Sequence, residues 1–264
     1  TIDGQEQREL SEQLLLSLLI EETTLGLFRC ELRFSNWGAQ ESGVDFYLFD
    51  RQIVDFGKEI EVVLGPPGGT RRVFKGRISG LEAQFPKDRP PELTVLAEDR
   101  FQDLRMERRT RTFEDSSDSD AMNQIISQQG LTADIDVDGP THRVLTQVNQ
   151  SDLAFLRERA AAVDAELWIE DRTLHVQARS RRDAGTLTLT YGAELVEFTV
   201  LADLAHQRSK VKVSGWNVDG KDAIDVEAGE SAVSGELESL RSGGSVLDQA
   251  LAERTERVGL ATPL

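Results

Sequence analysis

Three histidines, one cysteine and a large excess of carboxylates are the residues of this 264-residue chain with the chemistry to act on a substrate. His142, His175 and His206 stand far apart and lack the His-x-x-x-His spacing that brings two imidazoles to one helix face. Cys30 is alone, which excludes an internal disulfide and a cysteine-based zinc site. Its phase with Phe28, Leu32 and Phe34 predicts a buried, inert thiol. Glu114 to Asp120 sets oxygen ligands at alternate positions, as a calcium loop does. The central glycine and the closing bidentate glutamate of such a loop are missing, and helix capping accounts for the same residues. The chain contains no Gly-x-Ser-x-Gly elbow, no phosphate loop and no dinucleotide glycine triplet. With 47 Asp and Glu, some carboxylate pair suggesting glycoside hydrolysis arises by composition alone. The expectation is therefore a protein that is not an enzyme and holds no metal or cofactor.

Charge points the same way. The formal net charge of −17 repels a nucleic-acid backbone, and no basic stripe with interleaved aromatics offsets it. No apolar run reaches the eighteen or so residues that a membrane span needs. Leu14 to Ile20 is too short, follows Glu6, Glu9 and Glu12, and reads as a buried strand or helix. The start has neither the positive region nor the cleavage site of a secretory leader, and with a single cysteine, folding in a reducing cytoplasm is expected. The basic residues are uneven: Arg105, Arg108, Arg109 and Arg111 fall in one short segment, a candidate intersubunit contact.

The elements that would position these residues change character along the chain. Residues 1–104 read as a first β-barrel domain. Phe28, Cys30, Leu32 and Phe34 alternate with Arg29, Glu31 and Arg33. Asn36, Gly38, Ser42 and Gly43 mark a loop, and further strands are expected at Phe46 to Phe49 and at Ile60 to Leu64. A turn at Gly65-Pro66-Pro67-Gly68-Gly69 leads into a long strand over Val73 to Phe85. Gly76 and Gly80 within it signal a bulge or a close backbone approach. Residues 105–183 read as an α+β insert. It has one helix capped at Asp118 or Ser119 and stopped at Gly130, a second capped by Ser151, and a hairpin around Glu170-Asp171-Arg172. After a polar linker from Arg179 to Gly185, residues 184–264 read as a second, partial β-barrel domain with a C-terminal helix. Its strands are expected at Leu187 to Tyr191, Val196 to Val200 and Val211 to Val213. An acidic mobile loop over Asp219 to Gly244 then leads to the helix from Val246 to about Val258, closing at Pro263. The fold class is α+β, mainly β. Too few strands follow residue 184 to shut a barrel, so either the chain is a fragment, which Thr1 in place of methionine favours, or the missing strands come from the first β region or from another subunit.

One stretch is distinctive. Asp99-Arg100-Phe101-Gln102-Asp103-Leu104 is followed by the arginine segment and a capped helix. Gln147-Val148-Asn149-Gln150-Ser151-Asp152-Leu153-Ala154-Phe155-Leu156 comes next, and then the hairpin Glu166 to Val176. This order resembles the phage late control protein D family, over roughly Leu27 to Val213. Asp99, Leu104, Gln147, Asn149, Ser151, Asp152, Phe155 and Leu156 carry the resemblance. It implies a baseplate hub of a contractile injection system, related to the hub region of type VI secretion spikes. In such hubs paired tube-protein-like barrels from a homotrimer build a pseudo-sixfold ring that joins the hexameric inner tube to the trimeric spike. The implied partners are further copies of the chain, an inner tube or tube-initiator protein, a spike protein and other baseplate subunits, assembled into a virion or injection particle. Two other readings remain at this point: a tail-associated cell-wall hydrolase, and a stand-alone carbohydrate- or peptide-binding β module.

Overall fold

The computed structural model describes residues 1–23, 27–40, 43–66, 68–182, 185–218, 220–237 and 240–259. Ser42, Pro67, Asp183, Ala184, Asp219 and Pro263, which the sequence reading places in turns, linker, loop and chain end, lie outside the described residues. The chain separates into two compact units, Thr1–Arg182 and Asp183–Leu264. The fold is α+β and mainly β.

The first unit begins with β1 (Leu15–Glu21), β2 (Arg29–Ser35), the small hairpin β3 (Gly38–Gln40) and β4 (Gly43–Asp45), β5 (Glu59–Leu64), β6 (Arg71–Gln84) and β7 (Glu92–Glu98). Five of these pair antiparallel in the order β1-β2-β7-β6-β5, in a sheet curled into a half-barrel. Alternation sets the faces: Cys30, Leu32 and Phe34 are buried, whereas Arg29 and Glu31 are exposed. Phe74, Ile78, Leu93 and Val95 fill the same core. Burial pushes the Cys30 thiol up to about 12, as expected for an inert cysteine.

The two glycines of β6 serve different ends. A Cβ on Gly76 would lie 2.3 Å from the Glu98 carbonyl oxygen, so only glycine fits. At Gly80 the pairing of β6 with β7 shifts register. Phe46 to Phe49, read as a strand, is instead a loop. The fully buried Asn36 accepts the Leu48 N–H at 2.7 Å through Oδ1, so a side-chain amide replaces a ladder there.

The rest of the first unit is α1 (Phe101–Arg105), β8 (Arg108–Ser117), α2 (Asp118–Gln128), β9 (Thr132–Asp136), β10 (Thr141–Ser151), α3 (Asp152–Ala162), β11 (Ala165–Glu170) and β12 (Thr173–Ala178). Strands β8 and β10 form an antiparallel ribbon, and a second sheet has the order β11-β12-β9 with β12 and β9 parallel. Both helices grow directly out of ribbon strands, each through the same Ser-Asp pair. Ser117 caps α2, not Asp118 or Ser119. Its hydroxyl accepts the Asp120 N–H at 3.1 Å while Asp120 accepts the Ser117 N–H at 3.2 Å, a reciprocal capping box. Ser151 caps α3 by accepting the Ala154 N–H at 3.2 Å. Gly130, at φ +66°, ends the α2 segment in the left-handed region. Met122, Ile125, Ile126, Leu153, Phe155, Leu156 and Ala160 are buried in one core with Phe101, Leu104, Leu174 and Val176.

The second unit contains β13 (Lys210–Asn217), β14 (Asp222–Ala228), α4 (Gly243–Leu251) and β15 (Thr255–Gly259). They make a three-stranded sheet in the order β14-β13-β15, the last pair parallel. Three expectations are corrected here. The acidic stretch read as a mobile loop contains β14, because Ile224 and Val226 continue an alternation that β13 can pair. The last helix stops at Leu251, and Thr255–Gly259 is a strand, because Ala252 at φ +69° turns the chain out of the helix. Leu187 to Tyr191 and Val196 to Val200 belong to none of the sheets among the described residues; an isolated bridge pairs Tyr191 with Leu195 between them.

Candidate assembly site and its buried polar support

The motif Gln147 to Leu156 gives nearly every side chain a separate structural task. Gln147 is fully buried at the end of the regular β8–β10 pairing. Its Oε1 accepts the Arg111 Nε–H at 2.7 Å, and its Nε2 donates to the Gln150 carbonyl at 2.9 Å and to Asp152 Oδ1 at 3.0 Å. The register then shifts between Gln147 and Gln150, and Asn149 sits in that bulge at φ +47°. Asparagine tolerates the left-handed region better than other side chains, which explains its place there. Ser151 caps, and Phe155 and Leu156 are buried in the core with Leu104.

Asp152 is the centre of the cluster. Its side chain is 2% exposed and accepts hydrogen bonds from Arg111 and, at 2.9 Å, from Gln129 Nε2. Arg109 Nε lies 3.7 Å away. At the first position of α3 the carboxylate also meets the positive end of the helix dipole. A buried charge with this many partners is well satisfied, whereas the same charge with its arginine removed would be strongly destabilising.

The other Ser-Asp pair mirrors this arrangement. Asp118, 1% exposed at the start of α2, accepts from Arg159 of α3 and lies 3.0 Å from His142 Nε2. Burial alone would raise its pKa; the hydrogen bonds from Arg159 and His142 outweigh burial and hold it below the usual carboxylate range. Helices α2 and α3 thus each start with a buried aspartate that an arginine from a different element neutralises. Sequence reasoning missed Gln129, Asp118 as a buried acid, and Arg159. The repeated Ser-Asp at both strand-to-helix junctions was the available signal.

Asp99 lies apart from this cluster. Its Oδ2 accepts the Phe28 N–H at 3.0 Å and its Oδ1 the Phe101 N–H at 2.9 Å, tying the start of β2 to the start of α1. Burial pushes its carboxyl up to about 6, against the two backbone hydrogen bonds.

The four arginines have different fates. Arg111 is turned inward onto Asp152, Gln147 and Gln128, because the buried aspartate needs a counter-charge. Arg105 pairs with Glu98, Arg108 donates to the Asn149 carbonyl at 3.0 Å, and Arg109 pairs with Glu107 at 2.8 Å. Arg105 and Arg108 are exposed beside Met106, and Arg109 is half-buried. The histidines are structural neighbours: His175 stacks on Trp168 at 4.9 Å and meets Asp134 at 2.7 Å. Among the described residues, no group of three or more His, Cys, Asp or Glu is arranged to hold a metal ion. Among the described residues, no helix is long and apolar enough to cross a membrane.

The family profile of the Alg8 N-terminal domain matches residues 12–256, which reaches into both units and runs from β1 to the start of β15. The chain belongs to the Alg8 N-terminal domain family. None of the curated proteins matches it. Solved structures share the fold of this Alg8 N-terminal domain. A 43 kDa tail protein of prophage MuSo2 from Shewanella oneidensis superposes with a TM-score of 0.65 at 12% identity, covering 98% of this chain and 71% of that one. A tail protein from Neisseria meningitidis MC58 gives 0.60 at 15% identity, covering 93% and 67%. A chain of the Francisella PdpA–VgrG complex gives 0.50 at 9% identity, covering 94% of this chain and 40% of that one.

Proposed function

We propose that this Alg8 N-terminal domain is a non-catalytic structural subunit of a phage-tail-like contractile injection machine. It acts as a trimeric hub at the baseplate centre, joining the hexameric inner tube to the trimeric spike. The observation that carries the reading is the extent of the likeness: the fold shared with the Shewanella prophage tail protein runs through 98% of this chain and so takes in both units. The surface supports it. Leu187, Tyr191, Val196, Phe198, Val200 and Leu201 are each more than two-thirds exposed, an apolar display that suits a subunit covered by neighbours. The motif residues shared with the late control protein D family fit the same role. Their work is to hold a rigid insert, so the resemblance concerns scaffold and not chemistry. The division into residues 1–104, 105–183 and 184–264 belongs to this proposal as barrel, insert and second barrel. Arg105, Arg108 and Arg109 are its candidate contacts to a neighbouring subunit, while Arg111 supports them from inside.

Absolute mass from light scattering across a concentration series tests the hub. A species near three times 29.3 kDa is expected. Replacing Arg105, Arg108 and Arg109 together by glutamate should shift it towards monomer. A monomer at every concentration would overturn the trimer, and a trimer indifferent to the triple replacement would overturn the arginine contact.

A further inference from the structure

A cleft of about 320 Å³ within the first unit has one wall made by a strand edge. Ala165, Glu166, Leu167, Trp168 and Ile169 of β11 all line it. Side chains alternate across a strand, so five consecutive residues border one cleft only when the strand presents its edge to it. Strand β11 is the outer member of its sheet, paired with β12 alone. Among the described residues, no backbone hydrogen bond outside that ladder involves β11. Its outward N–H and C=O groups therefore lie along the cleft without partners. Such groups are what an added strand uses.

The cleft also carries a cation of unusual standing. Arg157 of α3 lines the cleft, half-buried, with its guanidinium 6.0 Å from the Phe101 ring centre. Among the described residues it has neither a hydrogen-bond acceptor nor an ion-pair partner. Of the other charges that line the cleft, Asp99 gives both oxygens to backbone N–H groups, and Arg179 lies 3.7 Å from Asp164 and 3.9 Å from Glu166; Glu22 lines it as well. Burial lowers the pKa of Arg157 while Asp99 pulls it back up, so it is a desolvated cation in want of an acceptor.

We propose that this cleft binds an extended peptide segment of a partner protein, which adds a strand to the free edge of β11 and delivers a carboxylate to Arg157. Backbone pairing would supply register, Phe28 and Phe101 an apolar wall, and the guanidinium fork the specificity for the carboxylate. The site lies wholly within residues 1–182 and stands or falls apart from the hub reading. The carboxylate has two sources, a chain terminus or an acidic side chain.

Fluorescence anisotropy with labelled threonine- and valine-rich pentapeptides on the full chain tests the site. One peptide has a free C-terminus, one is amidated with a glutamate as its last residue, one is amidated and neutral, and one repeats the best binder with alternate backbone nitrogens methylated. At least one carboxylate peptide should bind, and which one does identifies the source. The neutral peptide and the methylated peptide should bind far more weakly. Arg157→Gln should weaken the carboxylate peptide by about thirtyfold or more, the effect of removing one partner of a desolvated charge pair. The proposal is overturned if neither carboxylate peptide binds the wild-type chain at millimolar concentration, or if the neutral or methylated peptide binds equally well. Equal binding to Arg157→Gln would overturn it too. The neutral and methylated peptides are compared on the wild-type chain, so those two outcomes hold whether or not the variant folds.

Discussion

In residues 1–182, alternating apolar side chains end in the interior: Cys30, Leu32 and Phe34 from β2, and Phe74 and Ile78 from β6, all lie below a tenth exposed. In residues 183–264 the same alternation at Leu187, Leu189 and Tyr191, and at Val196, Phe198 and Val200, stays at the surface, from 48% to 84% exposed. Leu247 is the one buried apolar side chain among the described residues of that unit. Period-two alternation specifies which face of a strand is apolar, and a facing layer decides whether that face leaves water. Each large side chain that stays exposed forgoes about 1.5–3 kcal/mol of burial. The first unit has its facing layers within the chain; the second leaves its alternating apolar side chains at the surface.

The widest separation between the two units should appear in amide hydrogen exchange on the free chain. Strands β2, β6 and β7 are expected to exchange only through global opening, at roughly 5–15 kcal/mol, and residues 186–200 at close to zero. Equal protection in the two regions would remove the contrast. A smaller effect comes from the buried charge of Asp152 at the start of α3. Asp152→Ala strands Arg111 and two glutamines, and should cost roughly 3–5 kcal/mol in urea unfolding of the first unit. It should leave the exchange of residues 186–200 unchanged, and a loss under about 1 kcal/mol would show that the network is dispensable.

The smallest expected effect is a pH dependence confined to the first unit. Asp99 stands at about 6 when folded, against 3.8 for the ordinary carboxyl. Folding therefore favours its protonated form, a contribution present in full below about pH 4 and lost as pH rises through 6. Asp118 has the opposite sign, since its depressed pKa adds stability above the ordinary value and loses it in acid. Comparing Asp99→Asn with wild type isolates the first trend. The variant's stability relative to wild type should improve from about pH 4.5 to about pH 7.5, and a pH-independent difference would mean that Asp99 titrates normally.

Much of residues 105–182 is legible from residue order alone. Ser151 and Asp152 announce a capped helix start because both act locally, on the amides of the first turn. Leu153, Leu156 and Ala160 announce its buried stripe through helical spacing. The partners of Asp152 are not legible. Arg111 and Gln129 reach it from another strand and another helix, and sequence spacing says nothing about such convergence. The arginine segment misleads for the same reason: four charges close in sequence read as one patch, yet the ribbon turns Arg111 inward and leaves Arg105 and Arg108 outside. At Phe46 to Phe49 the apolar run fits a strand, but the buried Asn36 amide competes for the Leu48 N–H and holds a loop.

The sequence by itself determined the mainly β class, the sites of the helix caps, the inert cysteine and the absence of any recognisable catalytic motif. Each follows from near-neighbour chemistry: alternation, capping and turn-forming residues. Only the tertiary structure decided which strands would pair, which arginine would be buried, and which alternating segments would stay exposed. It also decided that the outer edge of β11 and Arg157 share one cleft. Those outcomes rest on contacts between residues far apart in the chain, where burial and charge compensation choose among partners that local sequence leaves equivalent.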